Sequence, residues 1–572
     1  MAAETRRQGD AVGGAYAITG TLPTIADVVA FKESTATFDH GYYRFVSHPH
    51  LRRLEAELKT RFQCRHCRLA ESYQTALLEL ILCLHPTGRP GRIFVLGSFP
   101  EATALADGRF LPACEGDGLS IMTLQDPSRV PADLGRQDIL VLGPGADAGP
   151  TARIAREHGA SVVAAIPTPL SEPPEAQFFV LGLSDVDGGA LGGAVLGNAD
   201  RVMDRLAEQM KRRGPVLSSR VAERLLAGAA TGMTGAHTEA NARVAETLCR
   251  MEGGSRAFLY ASGMSAITRV LDLLRAPGKR QIVAVGHLYN DTYQTLRIGE
   301  TVFLGVAELE RLGDAVGSET AAILTETITN PLSDVPDLRL LSRVAHDRGV
   351  PLIVDNTIAT PINCRPFEIG ADYVIHSTTK YLNGTNDHGG GAVIVRDERR
   401  ARELAERQML MRDHMSPREA AVLETNLSSV SGRMSRFNAN ALRIAEFLAG
   451  HPGVRRVFYC GLPTHRSHSV ARDLLQGFGS VVSFTLREES LDGLRAFYDS
   501  PLDGIRKAPS LGSNVTLLCP YTMLTHYADS DEELAEIGLP RFLARISVGC
   551  EEECAPIMES LDQALRATVQ RG

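Results

Sequence analysis

The chain has 572 residues, 44% hydrophobic and 22% charged, with a formal net charge of −8 and an isoelectric point near 6.1. This is the composition of a soluble globular protein of three or four domains. The acidic balance argues against a nucleic-acid backbone as partner, since phosphate neutralisation takes clustered Lys and Arg, and it points to small molecules instead. No apolar run reaches the roughly 20 residues of a membrane span, and "MAAETRRQGD" lacks the hydrophobic core of a secretory signal, so a cytoplasmic protein without a membrane partner is expected. The ten cysteines are scattered, and a chain of this size needs no disulfides, which makes reduced thiols the expectation.

In chain order, residues 1–40 read as an N-terminal arm. "CRHC" at Cys64 to Cys67 is one CxxC without a second pair, read as two thiols on a helix rather than as a metal site; no metal is expected. "GPGADAG" at Gly143 follows the apolar "DILVL", but its spacing does not fit a dinucleotide loop. "NADRVMDRLAEQMKRRG" has helical spacing and mixed charge, so residues 198–235 suit a solvated helical linker.

From 236 to 396 short apolar runs alternate with helical stretches: "RAFLYA", "QIVAVG", "TVFLGV", "AAILTE", "PLIVDN", "DYVIHS" and "GAVIV". That alternation predicts an α/β domain with a mostly parallel sheet. Residues 397–572 read as a smaller α+β domain, with a helix in "RFNANALRIAEFLAGHPGV" and a strand in "GSVVSFTL".

In parallel sheets the ligand sits at the carboxyl ends of the strands, which is where the polar residues fall. Ser262-Gly263-Met264 precede a helix, whose first N–H groups can cradle a phosphate. Tyr289, Glu326 with Asn330, and Asp355 follow successive strands, and "YVIHSTTKYLNG" closes one with hydroxyls and Lys380. Together they suit pyridoxal 5'-phosphate. A lysine forms an imine with the aldehyde, a carboxylate keeps the pyridine nitrogen protonated, and an aromatic stacks on the ring.

"ETITNP", "DNTIATP", "GADYVIHSTTKYLNG", "APSLGSNVTLL" and "ARISVGCEE" resemble the PLP enzymes of cysteine and methionine metabolism, the cystathionine γ-synthase and γ-lyase group, over about 237 to 568. "LPTIADVVAF", "YYRFVSHP" and "CPYTMLTHY" look more like the long, fungal-type synthases. The resemblance implies the PLP-dependent transferase fold of type I, that of aspartate aminotransferase. It implies Lys380 as imine-forming lysine, Asp355 at the pyridinium and Tyr289 stacked on the ring. Gly263 and Met264 would give N–H groups to the phosphate, with hydroxyls from Ser377 and Thr379, and Asn330 would lie near the ring hydroxyl. Arg545, with Ser510 of the "SLG" loop, would bind the substrate, its planar fork taking the α-carboxylate. Gly512 and its neighbours would sit over the cofactor.

The chain also resembles itself. "ARIAREHGASVVAAIPTP" lines up with "SRVAHDRGVPLIVDNTIATP", with Gly159 meeting Gly349, 190 positions on. At the same offset Ala165 faces Asp355, Ser72 meets Ser262 and Phe99 meets Tyr289, while Asp185 falls near the place of Lys380. Residues 41–197 therefore read as a degenerate copy of the cofactor domain without its lysine or aspartate; two unrelated α/β domains sharing a pattern are the alternative. In the family a Tyr-x-Arg pair from the neighbouring subunit reaches the phosphate. Here it stands as Tyr42-Tyr43-Arg44, before the copy, and "TGMTGAH", before the active half, has neither residue. Tyr42 and Arg44 would complete the Lys380 site from the same chain or from a partner chain, in a homodimer or larger homo-oligomer.

The implied activity is γ-replacement on an O-acyl-L-homoserine through an internal aldimine and a β,γ-unsaturated intermediate, with a small-molecule amino acid and a nucleophile as partners. Two departures bear on the nucleophile. Val515 stands where many members carry a glutamate, and "GTND", with Thr385 and Asn386, replaces "GHSD". A carbon or nitrogen nucleophile in specialised biosynthesis, or a γ-lyase, is the alternative, and a non-catalytic scaffold a third reading.

Overall fold

The computed structural model describes residues 24–26, 49–62, 64–70, 72–84, 91–96, 119–124, 130–131, 133–134, 138–142, 155, 157, 160–166, 178–184, 190–213, 235–276, 278–297, 299–527 and 529–569. The readings placed on Tyr42, Arg44, Phe99, Gly143, Gly159 and Asp185 fall outside them.

The first half contains α1 (Pro49–Phe62), β1 (His66–Ala70), α2 (Tyr73–Leu84), β2 (Gly91–Leu96), β3 (Leu119–Leu124), β4 (Ile139–Leu142), β5 (Ser161–Ile166), β6 (Phe178–Ser184), β7 (Ala190–Gly197) and α3 (Asp200–Arg213). The second contains α4 (Gly235–Glu252), β8 (Arg256–Tyr260), α5 (Gly263–Leu274), β9 (Gln281–Val285), α6 (Asn290–Arg297), β10 (Thr301–Leu304) and β11 (Thr320–Glu326). It continues through α7 (Leu338–Asp347), β12 (Leu352–Asp355), β13 (Tyr373–Ser377), β14 (Gly391–Val395) and α8 (Glu398–Met411). Helices shorter than eight residues are left unnumbered.

Each half forms a seven-stranded sheet, in the orders β3-β2-β4-β5-β6-β7-β1 and β10-β9-β11-β12-β13-β14-β8. The directions also agree: four parallel pairings, then two antiparallel ones, β6 with β7 and β7 with β1 in the first sheet, β13 with β14 and β14 with β8 in the second. Both sheets are covered on two faces. Along β12 the two-residue period sends Leu352 and Val354 into one cluster and Ile353 into the other. Along β4, Ile139 and Val141 part from Leu140 and Leu142 in the same way.

After α9 (Pro417–Leu427) and α10 (Val430–Gly450) come β15 (Val454–Phe458), β16 (Val481–Leu486), α11 (Leu491–Tyr498), β17 (Arg506–Lys507), β18 (Leu517–Pro520), β19 (Ala544–Ser547) and α12 (Ala555–Val569). The five strands pair in the order β15-β16-β19-β18-β17, mostly antiparallel. Near the amino terminus, Ile25 is buried in this small domain's core and its N–H donates to Asp499 at 2.7 Å.

Three local expectations are corrected. The 200–213 stretch is helical but not a solvated linker: Met203, Leu206 and Met210 are buried in the first half's core. Mixed charge hid an apolar stripe. Helix α8, expected at the start of the small domain, buries Ala401 and Leu404 against the second large sheet. Cys67 lies on β1 rather than on a helix, and burial raises its thiol well above the usual range.

Candidate active site

The carboxyl ends of β8, β11, β12 and β13 gather the predicted residues at one edge. Ser262 caps α5, its Oγ accepting from the Ser265 N–H at 3.0 Å, and Ala266 N–H reaches back to Ser262 O. Gly263 N–H and Met264 N–H are left without an acceptor among the described residues, as expected for a helix start. Space here is tight enough to require glycine. A Cβ on Gly263 would lie 2.8 Å from Ser377 Cβ, and one on Gly391 would lie 2.1 Å from Ser262 O. The Ser377 side chain therefore stands against the open N–H groups.

Asp355 ends β12 and pairs in register with Glu326 on one side and Ile375 on the other. Its Oδ1 accepts from Thr357 N–H at 3.0 Å and from the Thr357 hydroxyl, and Thr357 Oγ1 accepts in turn from Ser377 N–H at 2.8 Å. Burial raises the Asp355 carboxyl above its ordinary value, against the Thr357 hydrogen bonds and the field of His376. Burial and then Asp355 push Glu326 well above the usual carboxylate range, although Tyr289 and Asn330 N–H groups bond to it. Two adjacent buried carboxylates call for a cation, and Asp355 Oδ2 has no hydrogen bond among the described residues.

Lys380 follows β13, and its Nζ donates to Ser510 Oγ at 3.2 Å. Burial, and then the Arg545 charge, bring its amine down to about 8, with Asp291 acting in the other direction. The "SLG" loop rests on the lysine backbone. Gly512 has φ +74, and a Cβ there would come within 2.7 Å of Tyr381 N and 2.8 Å of Lys380 C, so both conformation and contact demand glycine. Arg545, on β19, donates from Nη1 to Asn330 Oδ1 at 3.1 Å and from Nη2 to Ser510 O at 2.9 Å and to Pro509 O. Its guanidinium sits 5.0 Å from the Tyr521 ring centre. Among the described residues Arg545 Nε is buried without an acceptor that meets hydrogen-bond geometry.

One predicted group is differently engaged: Thr379 Oγ1 accepts from Gly390 N–H at 3.1 Å and donates to Gly390 O at 3.3 Å. Sequence reasoning passed over Asp291, whose Oδ2 accepts from the Tyr289 hydroxyl at 2.8 Å. It also passed over Thr357 and Tyr521. Thr357 and Tyr521 stood inside motifs already quoted, "DNTIATP" and "CPYTMLTHY", and Asp291 two positions after Tyr289, where their polarity was the available signal.

The residues fit pyridoxal phosphate: open N–H groups beside the Ser377 side chain for the phosphate, an unpaired carboxylate oxygen for a pyridinium, and an amine near its neutral form for the aldehyde. Fold and site together define a PLP-dependent transferase of fold type I. The chain belongs to the Cys/Met metabolism PLP-dependent enzyme family, whose family model matches residues 233–566. It is similar to a cystathionine gamma-lyase of Bacillus subtilis (strain 168), 35% identical over 322 residues, which cover 55% of this chain and 83% of that one. A cystathionine gamma-synthase of Mycobacterium tuberculosis (strain ATCC 25618 / H37Rv) is 34% identical over 331 residues, 56% and 82% of the two chains. Among solved structures, a cystathionine gamma synthase from Xanthomonas oryzae pv. oryzae in complex with cystathionine has a TM-score of 0.55 and 30% identity over 60% of this chain and 89% of that chain. Among the described residues no helix is long and apolar enough to cross a membrane.

Proposed function

We propose that the chain catalyses γ-replacement on an O-acyl-L-homoserine. The observation that carries this reading is the placement of the Lys380 amine, which bonds Ser510 Oγ at 3.2 Å while Arg545 holds the Ser510 carbonyl at 2.9 Å, and which burial brings to about 8. γ-Chemistry needs one group that takes a proton at Cα and gives it back further along the substrate, and such a group works best with a pKa near the working pH. Bound pyridoxal phosphate would supply the electron sink that makes those carbon acids accessible.

This chain's residues would do the rest. Gly263 and Met264 N–H groups and Ser377 would hold the phosphate, Asp355 the ring nitrogen and Tyr289 the ring face. Asn330 would stand near the ring hydroxyl while orienting Arg545. Arg545 would take the substrate α-carboxylate with the donors its present partners leave open, and Ser510 would steer Lys380 Nζ. Tyr42 and Arg44 would add a phosphate contact from elsewhere in the chain or from a second chain of a homo-oligomer.

The second reading keeps this site and changes the nucleophile. Val515 is 39% exposed where a glutamate is common in the family, and Asn386 holds φ 57 beside Thr385, which bonds to Asp387. An altered rim of this kind suits a carbon or nitrogen nucleophile, while a rim that admits only water would make the enzyme a γ-lyase. The deciding experiment offers O-acetyl- and O-succinylhomoserine with panels of thiols, amines and carbon acids, following both the joined product and 2-oxobutanoate. Joined product is expected. Rapid 2-oxobutanoate release that no nucleophile suppresses overturns the synthase reading in favour of elimination.

A further inference from the structure

The two halves share more than strand order. Helices α2 and α5 are each 12 residues long and start 190 positions apart, at Tyr73 and Gly263. Helices α3 and α8 are each 14 residues long and end at Arg213 and Met411. Across the boundary α3 packs on α5, and α8 packs on α2. Each closing helix therefore meets the counterpart of the helix it covers in its own half, which is the relation produced by a two-fold axis. Two hydrogen bonds, from positions that are not counterparts, also tie the boundary. The last carbonyl of α8, Met411 O, accepts from the Ser72 hydroxyl at 2.6 Å, and the last carbonyl of α3, Arg213 O, accepts from the Thr268 hydroxyl at 3.1 Å.

The side chains at the two ends of this axis differ. At one end Arg213 bridges Glu79 of its own half at 2.9 Å and Asp272 of the other at 2.6 Å, all three largely buried. Arg269, at the offset counterpart of Glu79, bonds Asp413 at 2.5 Å and Asp272 at 3.4 Å. Burial works against ionising Asp272, yet Arg213, Arg269 and Arg407 hold its carboxyl at about 2. At the other end the counterparts are apolar: Met411 replaces Arg213 and Leu82 replaces Asp272, and both lie in one hydrophobic cluster.

We propose that the N-terminal layer, residues 49–213, is a second copy of the catalytic layer that occupies, within the same chain, the face a second catalytic half would otherwise take. The Arg213–Asp272 ion pair at one end and the apolar Met411 and Leu82 at the other code that face for the N-terminal copy alone. Two catalytic halves joined here would set Met411 against Asp272 at both ends, stripping a buried carboxylate of its cross-boundary cation, a costly arrangement. Two N-terminal halves would set Arg213 against Leu82. Only the mixed pair matches at both ends. It also braces α5, whose first N–H groups face the active site, through Thr268 and Asp272.

The test uses the full-length chain. In Ser72→Cys/Met411→Cys, joined by oxidation or a short bis-maleimide and mapped by peptide mass spectrometry, the 72–411 link is expected within single chains. A link that joins two chains, or no link in a variant with wild-type circular dichroism, overturns the proposal. Separately, Arg213→Met is expected to lower Tm by about 5 °C or more, as breaking a buried pair does. Adding Glu79→Gln and Asp272→Leu, which removes both carboxylates that Arg213 bridges, is expected to restore most of the loss. An unchanged Tm in Arg213→Met, or a triple variant no better than the single one, overturns the coding of the face.

Discussion

The two large layers carry the same strands in the same order and directions but differ where the strands end. The catalytic sheet closes β12 with Asp355 and follows β13 with Lys380, whereas the offset counterpart of Asp355 is Ala165, on β5. Architecture is thus indifferent to chemistry here: buried Val, Ile and Leu build both sheets, and the polar residues of the proposed site close the strands of one of them.

The largest effect expected from breaking this contrast is Lys380→Ala. It should abolish the visible cofactor band and turnover, and borohydride reduction of the wild-type chain should label residue 380 and no site in residues 41–197; a label in the first half would erase the distinction between the layers. Next, Arg545→Ala should raise KM by about 10- to 100-fold, the worth of a charge-assisted hydrogen bond to a carboxylate, and steady-state kinetics with an unchanged cofactor spectrum would check it. Gly512→Ala forces φ +74 on a side chain that meets the Lys380 backbone, and should cost about 1–3 kcal/mol, read by denaturant unfolding alongside slower turnover.

The smallest effect concerns pH. Only a neutral amine attacks an aldehyde, so with Lys380 at about 8 the rate at which cofactor-free protein takes up pyridoxal phosphate should rise with pH through about 8 and then level off. Asp291 favours the ammonium form, so Asp291→Asn should move that midpoint down. Stopped-flow absorbance across pH would measure both, and an upward shift would remove Asp291 from the site's electrostatics.

Much of this was legible in the sequence because it is local. Alternating apolar runs announced β8 to β14, and Lys380 and Asp355 stood out as polar residues closing buried strands. What stayed hidden depends on long-range meetings. Arg545 finds Asn330 across 215 positions, and Lys380 finds Ser510 across 130. Helix α3 misled for a related reason: its arginines and aspartates read as solvent-facing, yet Arg213 meets its charges inside the boundary between the halves. The 190-residue offset was visible, but the matching strand order needed coordinates.

Lys59 is the sole lysine between residues 41 and 197, and it sits on α1 rather than in the stretch that follows a strand. With Lys380 as the proposed seat for the aldehyde, reconstitution should saturate at one equivalent per 572 residues. Sigmoidal kinetics, if observed, would then have to originate between separate polypeptides.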